Sequence, residues 1–351
     1  VRHTIAITLA AGSLGAVLCA CGSTGAGHTT GARSSSTAPS NVTRLDATAT
    51  GTGAAAPAPL IAYVGPIDGG VGIRVVRRDG TGDRGLTPGV PLRADGWQVH
   101  PDWSPDGGHL AFAADSDAVT RDLWVAAADG TGPARVFDCV LPCMEADYPS
   151  WSPDGKTLAF EAFDARGNDK VNARLSILDL DSGIARTIFT VTRDGDVVRR
   201  PRWSPDGHRL VFEIQHWSNG GPSASIRTSE IDVMAASPAG HPSPLTRPSM
   251  LATYPDWSWA DGRIVFATTG GPIFTIASNG SHLHHVTDSM GGTVDQPSWT
   301  PDGKRIIFTT LGANGLVTMA TIRPDGSDQE AATTSGPMFG THPRLQPLPP
   351  G

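Results

Sequence analysis

Pro101-Asp-Trp-Ser-Pro-Asp-Gly107, running on into Leu110-Ala-Phe112, decides the fold because the chain repeats it. It returns as Pro149-Ser-Trp-Ser-Pro-Asp-Gly155, Pro201-Arg-Trp-Ser-Pro-Asp-Gly207, Pro255-Asp-Trp-Ser-Trp-Ala-Asp-Gly262 and Pro297-Ser-Trp-Thr-Pro-Asp-Gly303, each ahead of a short apolar run. The intervals between the tryptophans, 48, 52, 54 and 42 residues, suit propeller blades and exceed the period of helical repeats. In each copy the turn proline presets φ and the closing glycine tolerates positive φ, which predicts a tight hairpin between a Trp-bearing strand A and an apolar strand B. Runs such as 123–126 (Leu-Trp-Val-Ala) and 273–276 (Ile-Phe-Thr-Ile), with turns at Asp129-Gly130 and Asn279-Gly280, supply strands C and D. A four-stranded meander leaves two apolar faces that only neighbouring blades can cover, so the repeated tryptophan is read as inter-blade core.

Five tryptophan copies still predict six blades. Residues 60–64 (Leu-Ile-Ala-Tyr-Val) have the strand B pattern with no Trp strand before them, and the segments up to Leu86-Thr87 supply the matching C and D. The missing strand A stands at the other end, where Thr341-His-Pro-Arg-Leu345 aligns with the Pro-x-Trp segments. The expectation is an all-β, six-bladed β-propeller of four-stranded blades over residues 60–347, closed by pairing the C-terminal strand with the N-terminal blade, with 348–351 as a tail. Closure removes the sheet edges that invite aggregation.

The recurring P-x-W-S-P-D-G motif resembles that of the TolB-like, WD-like propeller family. The resemblance implies the fold and leaves function to sites grafted on it, since such blades occur in a periplasmic Tol-system protein, in serine peptidases and in pectin-fragment lyases. No G-x-S-x-G nucleophile elbow occurs in the sequence, which argues against the peptidase chemistry. The lyases use a His/Gln-rich metal centre, and no motif for it carries over to this chain.

Ahead of the repeats, Arg2 and His3 precede an apolar stretch, residues 5–18, of signal-peptide length. Leu18-Cys-Ala-Cys21-Gly22 then resembles a bacterial lipobox, so residues 1–20 are expected to be a lipoprotein signal peptide and Cys21 the lipidated residue of an exported, envelope-anchored protein. Residues 21–59 are Gly, Ser, Thr, Ala and Pro with almost no large apolar side chain, the composition of a flexible tether reaching roughly 30 to 35 Å. With Cys19 and Cys21 so assigned, Cys139 and Cys143 remain. An oxidising compartment favours a disulfide between them, with a metal half-site as the alternative. The net charge of −7 and the absence of a dense basic run argue against nucleic acid as a partner.

Antiparallel blades also separate two faces. A–B and C–D turns are short and share one face. The D–A and B–C connections, including residues 87–97, 138–147, 164–173 and 216–228, share the other, and long connections on a rigid frame are where binding surfaces arise. On that face the residue before each strand A proline should ring the mouth of the central channel: His342, His100, Tyr148, Arg200, Tyr254 and Gln296. Asp147, Arg199 and Asp295 lie one step earlier. This mixture either hydrates a water-filled channel or binds a small polar ligand. His100, His342 and Gln296 are the candidates for a transition-metal site, and His282, His284 and His285 cluster near a C–D turn. The favoured expectation is a module that binds an envelope protein through its loop-rich face, with no cofactor and no catalytic residue assigned. A solute- or glycan-binding mouth and a metal-dependent lyase or hydrolase are the alternatives.

Overall fold

The computed structural model describes residues 59–347 except 69, 88, 94–95, 117–118, 167–168, 194, 218–225, 270, 288–293, 312–316 and 333–339. The expected signal peptide, Cys21, nearly all of the tether and the tail lie outside these residues. Six antiparallel sheets of four strands follow one another along the chain. Blade 1 is completed from both ends: Thr341–Leu345 pairs with Leu60–Ile67, with Ile61 opposite Leu345 and Val64 opposite Thr341, and Gly70–Arg77 and Arg84–Gly85 follow outward. The innermost strands of blades 2 to 6 are Gln98–Trp103, Cys143–Trp151, Asp196–Trp203, Ala252–Trp257 and Val294–Trp299, each beginning a sheet in sequence order.

The motif residues perform the packing their chemistry suggests. The five repeated tryptophans keep between 2% and 6% of their surface. The Trp103 indole N–H donates to the Arg344 carbonyl of the preceding blade at 3.1 Å, and Trp151 repeats the bond to the Asp102 carbonyl at 3.1 Å. In the A–B turns the Ser or Thr hydroxyl donates to the turn Asp, at 2.5 Å for Ser104 to Asp106 and 2.6 Å for both Ser152 to Asp154 and Thr300 to Asp302. The same hydroxyl oxygen accepts the N–H of the first residue of strand B or its equivalent, such as His109 and Thr157. Phe112, Phe160, Phe212, Phe266 and Phe308 fill the second strand of their blades, fully buried; Tyr63 takes that place in blade 1 and donates its hydroxyl to Asp83 at 2.6 Å. The tyrosine thus keeps a polar tip satisfied where the other blades are purely apolar.

Blade 3 departs from the expected pattern. The span 164–173 is not an open loop: Thr157–Arg166 and Asp169–Asp179 extend the hairpin, with Val171 opposite Asp164 and Asp169 opposite Arg166. A register slip with Asn172 at φ 53° lets the Arg174 guanidinium bond Asp164 at 2.6 Å, which holds the two polar strands together. Cys139 and Cys143 are bonded as a disulfide, both sulfurs' residues buried, while Val140 and Leu141 between them are 66% and 58% exposed.

Candidate functional site

The six predicted mouth residues share a backbone conformation that sequence reading did not anticipate. His100, Tyr148, Arg200, Tyr254, Gln296 and His342 all have positive φ, between 49° and 56°. Each sits where the pairing of its strand with strand B slips by a bulge, as between Val99 and Asp102 or between Arg199 and Arg202. Left-handed backbone at a non-glycine residue costs roughly 1–2 kcal/mol, and bulges of this kind re-aim a side chain. Repetition in every blade makes the strain a property of the ring, offset by what the turned residues contact.

Most of that compensation is hydrogen bonding to amides that leave the ladder. The Tyr148 N–H donates to Asp147 at 2.7 Å, Gln296 N–H to Asp295 at 2.9 Å, Arg200 N–H to Glu161 at 2.7 Å, and His342 N–H to the Gln296 side-chain oxygen at 2.6 Å. The Tyr254 N–H reaches Glu213 at a longer 3.4 Å. Glu161 and Glu213 are fully buried on the second strands of blades 3 and 4 and serve the next blade along. They were not among the predicted site residues. Their signal was present as a single acidic letter inside the apolar runs Leu158-Ala-Phe-Glu161 and Leu210-Val-Phe-Glu213.

The side chains meet across the axis instead of lining an open, water-filled mouth. His100 stacks on Tyr148 with ring centroids 3.5 Å apart, and His342 stands edge-on to His100 at 4.4 Å. The Arg200 guanidinium lies 3.8 Å from the Tyr254 centroid and 4.9 Å from that of Tyr148, and donates to Glu213 at 2.6 Å. The void left among them is about 20 Å³, room for a single water. His342 Nε2 and Arg200 Nε are buried without a partner.

Electrostatics follow from this packing. His100 Nδ1 lies 2.5 Å from Asp147, whose other oxygen accepts from Arg121 at 2.8 Å; Arg121 also pairs with Asp115 and Glu145. Burial lowers the His100 pKa against the pull of Asp147, so the ring is neutral at pH 7 and its Nδ1–H donates. Burial alone would raise Asp147, but the His100 and Arg121 donors outweigh it and hold the carboxyl well below its usual range. His342 is lowered further, by burial and then by the neighbouring His100 and Arg200. Of the three residues considered for a metal ion, His100 has its Nδ1 engaged by Asp147 and Gln296 its oxygen by a backbone amide, while the buried His342 Nε2 has no partner. Among the described residues no group of three or more His, Cys, Asp or Glu side chains is arranged to hold one.

Asp295 moves the other way, pushed up to about 6 by burial, with Arg200 acting against the shift. A carboxyl whose folded pKa is raised stabilises the fold fully below its unfolded pKa and loses that contribution as pH rises through 6. Asp295→Asn keeps the oxygen that accepts the Gln296 N–H. It is expected to be more stable than the parent at pH 8 by on the order of 2 kcal/mol, the two converging near pH 4. Thermal melts across that range check it, and a variant less stable at pH 8 would contradict the sign.

Two residues further along each inner strand, a second ring crosses the channel. Read round the blades it is Asp102, Ser150, Arg202, Asp256, Ser298 and Arg344, the x of each Pro-x-Trp and its blade 1 equivalent, so the same triplet occurs twice. Arg202 pairs with Asp102 at 2.9 Å and Arg344 with Asp256 at 2.8 Å. The second oxygens of Asp102 and Asp256 accept the backbone N–H of Trp151 and Trp299, at 2.9 and 2.8 Å. This neutral quartet also went unpredicted, though it can be read from the repeats once they are aligned.

Six four-stranded sheets closed on themselves by their terminal strands, around a channel filled with side chains, define a β-propeller. The chain belongs to the TolB beta propeller domain family, whose model matches residues 117–347. Among solved structures it is similar to TolB from Acinetobacter baumannii, with TM-score 0.59 and 18% identity over 82% of this chain and 66% of that one. It is also similar to a putative TolB from Agrobacterium tumefaciens, with TM-score 0.56 and 20% identity over 82% and 91% of the two chains. An oligogalacturonate lyase in complex with manganese superposes with TM-score 0.54 at 13% identity, over 78% of this chain and 73% of that one. Identities of this size carry the fold alone. No curated protein matches the sequence.

Proposed function

We propose that this chain is a protein-binding propeller of the cell envelope that engages its partner through the face built from D–A and B–C connections. The observation that supports this reading most is the state of the mouth. Its side chains pack on one another around a void of water size, so a small solute would have to displace stacked rings and a buried ion pair before it could bind. The surface beside the mouth offers contact area instead. Trp97 at 38%, Val119 at 50%, Val140 at 66% and Leu141 at 58% exposure belong to neighbouring connections of blades 2 and 3. The Val140-Leu141-Pro142 tip is held at both ends by the disulfide, and the Cys139 amide is fixed by buried Asp122 at 2.9 Å. An exposed apolar knob that loses little freedom on docking makes a good anchor for a protein interface.

The lipid anchor at Cys21 belongs to the same proposal, as does the envelope location that the TolB-like fold favours. A photo-crosslinking residue placed at Leu141 should yield a discrete protein adduct in intact cells, and one at Ile184, exposed on the opposite face, should not. Adducts from Ile184 alone would reverse the assignment of the faces. Loss of the Leu141 adduct in a Cys21→Ser variant would tie the contact to lipidation.

A further inference from the structure

The C–D turn is built alike in blades 1, 2, 5 and 6, over residues 77–81, 127–131, 277–281 and 323–327. In each, the first residue's N–H donates to the fifth residue's carbonyl at 2.9 to 3.1 Å, and the glycine N–H donates back to the first residue's carbonyl at 2.8 to 2.9 Å. The residue before the glycine accepts twice from the Thr or Ser two places on. Asp79, Asp129 and Asp325 take its N–H at 2.8 to 2.9 Å and its hydroxyl at 2.6 to 2.7 Å. Blade 5 has Asn279 in that place, its side-chain oxygen accepting from the Ser281 N–H at 3.0 Å and the hydroxyl at 2.6 Å. An amide thus does here what a carboxylate does in the other three. The same pair of donors holds the three aspartates below the usual carboxyl pKa, so the turn favours a full negative charge at this point.

An asparagine followed by glycine is open to attack by its own backbone, because no Cβ on the glycine hinders the approach. The Gly280 nitrogen adds to the Asn279 Cγ, the Cγ–Nδ2 bond breaks, and ammonia leaves with the proton that the Gly280 nitrogen gives up. Water then opens the cyclic imide at one of its two carbonyls, giving aspartate or its β-linked isomer. The closed turn holds this off: the Gly280 N–H is committed to the Ala277 carbonyl at 2.9 Å, and the Asn279 oxygen to Ser281. Blade 5 guards its turn less closely than its neighbours do. A Cβ added at Gly130 or Gly326 would run into the carbonyl oxygen of Leu86 or Val286 on the preceding blade. At Gly280 the nearest atom, the Leu245 oxygen of blade 4, would lie 3.8 Å away. Asn279 is exposed, and its turn stands clear enough of blade 4 to open without parting the two sheets.

We infer that Asn279 is a modification site: local opening of the blade 5 turn lets it pass through the imide to aspartate, and the turn recloses on that aspartate as blades 1, 2 and 6 do on theirs. The site is independent of the mouth and of any partner held on the loop-rich face. Incubating the full chain at pH 8, native and in unfolding urea, and mapping residue 279 by peptide mass spectrometry with the two isomers separated, tests it. Conversion in the native chain should be slower than in urea by about ten- to a hundredfold, the range of a local opening. Ser281→Ala, which removes the hydroxyl donor, should raise the native rate several-fold and leave the rate in urea unchanged. Asn279→Asp should melt with the parent. Equal rates in the two states would show that the turn gives no protection, and protection beyond about a thousandfold would mean that only global unfolding exposes the site. Either result, an unchanged native rate in Ser281→Ala, or an Asn279→Asp chain that melts several degrees lower would overturn the assignment. The crosslink at Leu141 should be unaffected by Asn279→Asp, so failure of one assignment leaves the other standing.

Discussion

A chain ending at Gly340 is expected either to accumulate as insoluble protein or to melt roughly 10 °C below the parent, whereas one ending at Pro347 should melt with it. Removing Thr341–Leu345 takes the innermost strand from blade 1 and exposes the edge at Leu60–Ile67. It also removes contacts to three other blades. The Trp103 indole loses the Arg344 carbonyl, the Ser298 hydroxyl loses the Pro343 carbonyl at 2.9 Å, and Asp256 loses its Arg344 partner. Buried His342 goes too, leaving the Gln296 oxygen without its amide. Calorimetry on the two truncations, and partial recovery on adding the peptide 341–351, would establish closure as the main fastening of the ring. A melting point within a degree or two of the parent for the shorter chain would show that the six sheets hold together without it.

Glu213→Ala should be the most damaging single substitution at the mouth, by about 3–5 kcal/mol. Glu213 is fully buried and accepts from the Arg200 guanidinium at 2.6 Å, the Thr253 hydroxyl at 2.9 Å, the Ser229 hydroxyl at 3.3 Å and the Gln215 amide. Its loss strands the Arg200 charge at a site where 7% of that residue is exposed. A buried cation without its counter-charge costs more than any of the single hydrogen bonds around it. Glu213→Gln preserves volume and most acceptor contacts, and should recover about half of the loss. Urea unfolding curves of the three proteins give these differences directly. An alanine variant within about 1 kcal/mol of the parent would mean that Arg200 finds another carboxylate.

How much of this was legible beforehand depends on where each instruction sits in the chain. The blades and their closure were readable because Trp, Ser/Thr, Pro, Asp and Gly each do a local job in a turn or between sheets, and the job recurs at every copy. The identity of the mouth residues was readable from the same register. Their mutual packing was not. A non-glycine residue ahead of a proline prefers extended backbone, and only the surrounding ring turns His100 or Arg200 into the left-handed region and brings them together over the axis. Glu161 and Glu213 were passed over because a lone acid in an apolar run has no periodic partner to mark it. The blade 3 hairpin was misread because its Asp, Asn and Gly letters are those of loops, while cross-strand ion pairing extends the ladder regardless.

Because strand B of blade 1 starts at its tight-turn end, and Leu345–Pro347 finishes there beside Gly107, the described residues enter and leave the propeller on one side. A handle joined directly ahead of Leu60 or after Pro347 leaves the Val140-Leu141-Pro142 knob on the far side, like the working side of a lollipop. A sensor chip coated through a handle so placed therefore displays that side to the flowing analyte.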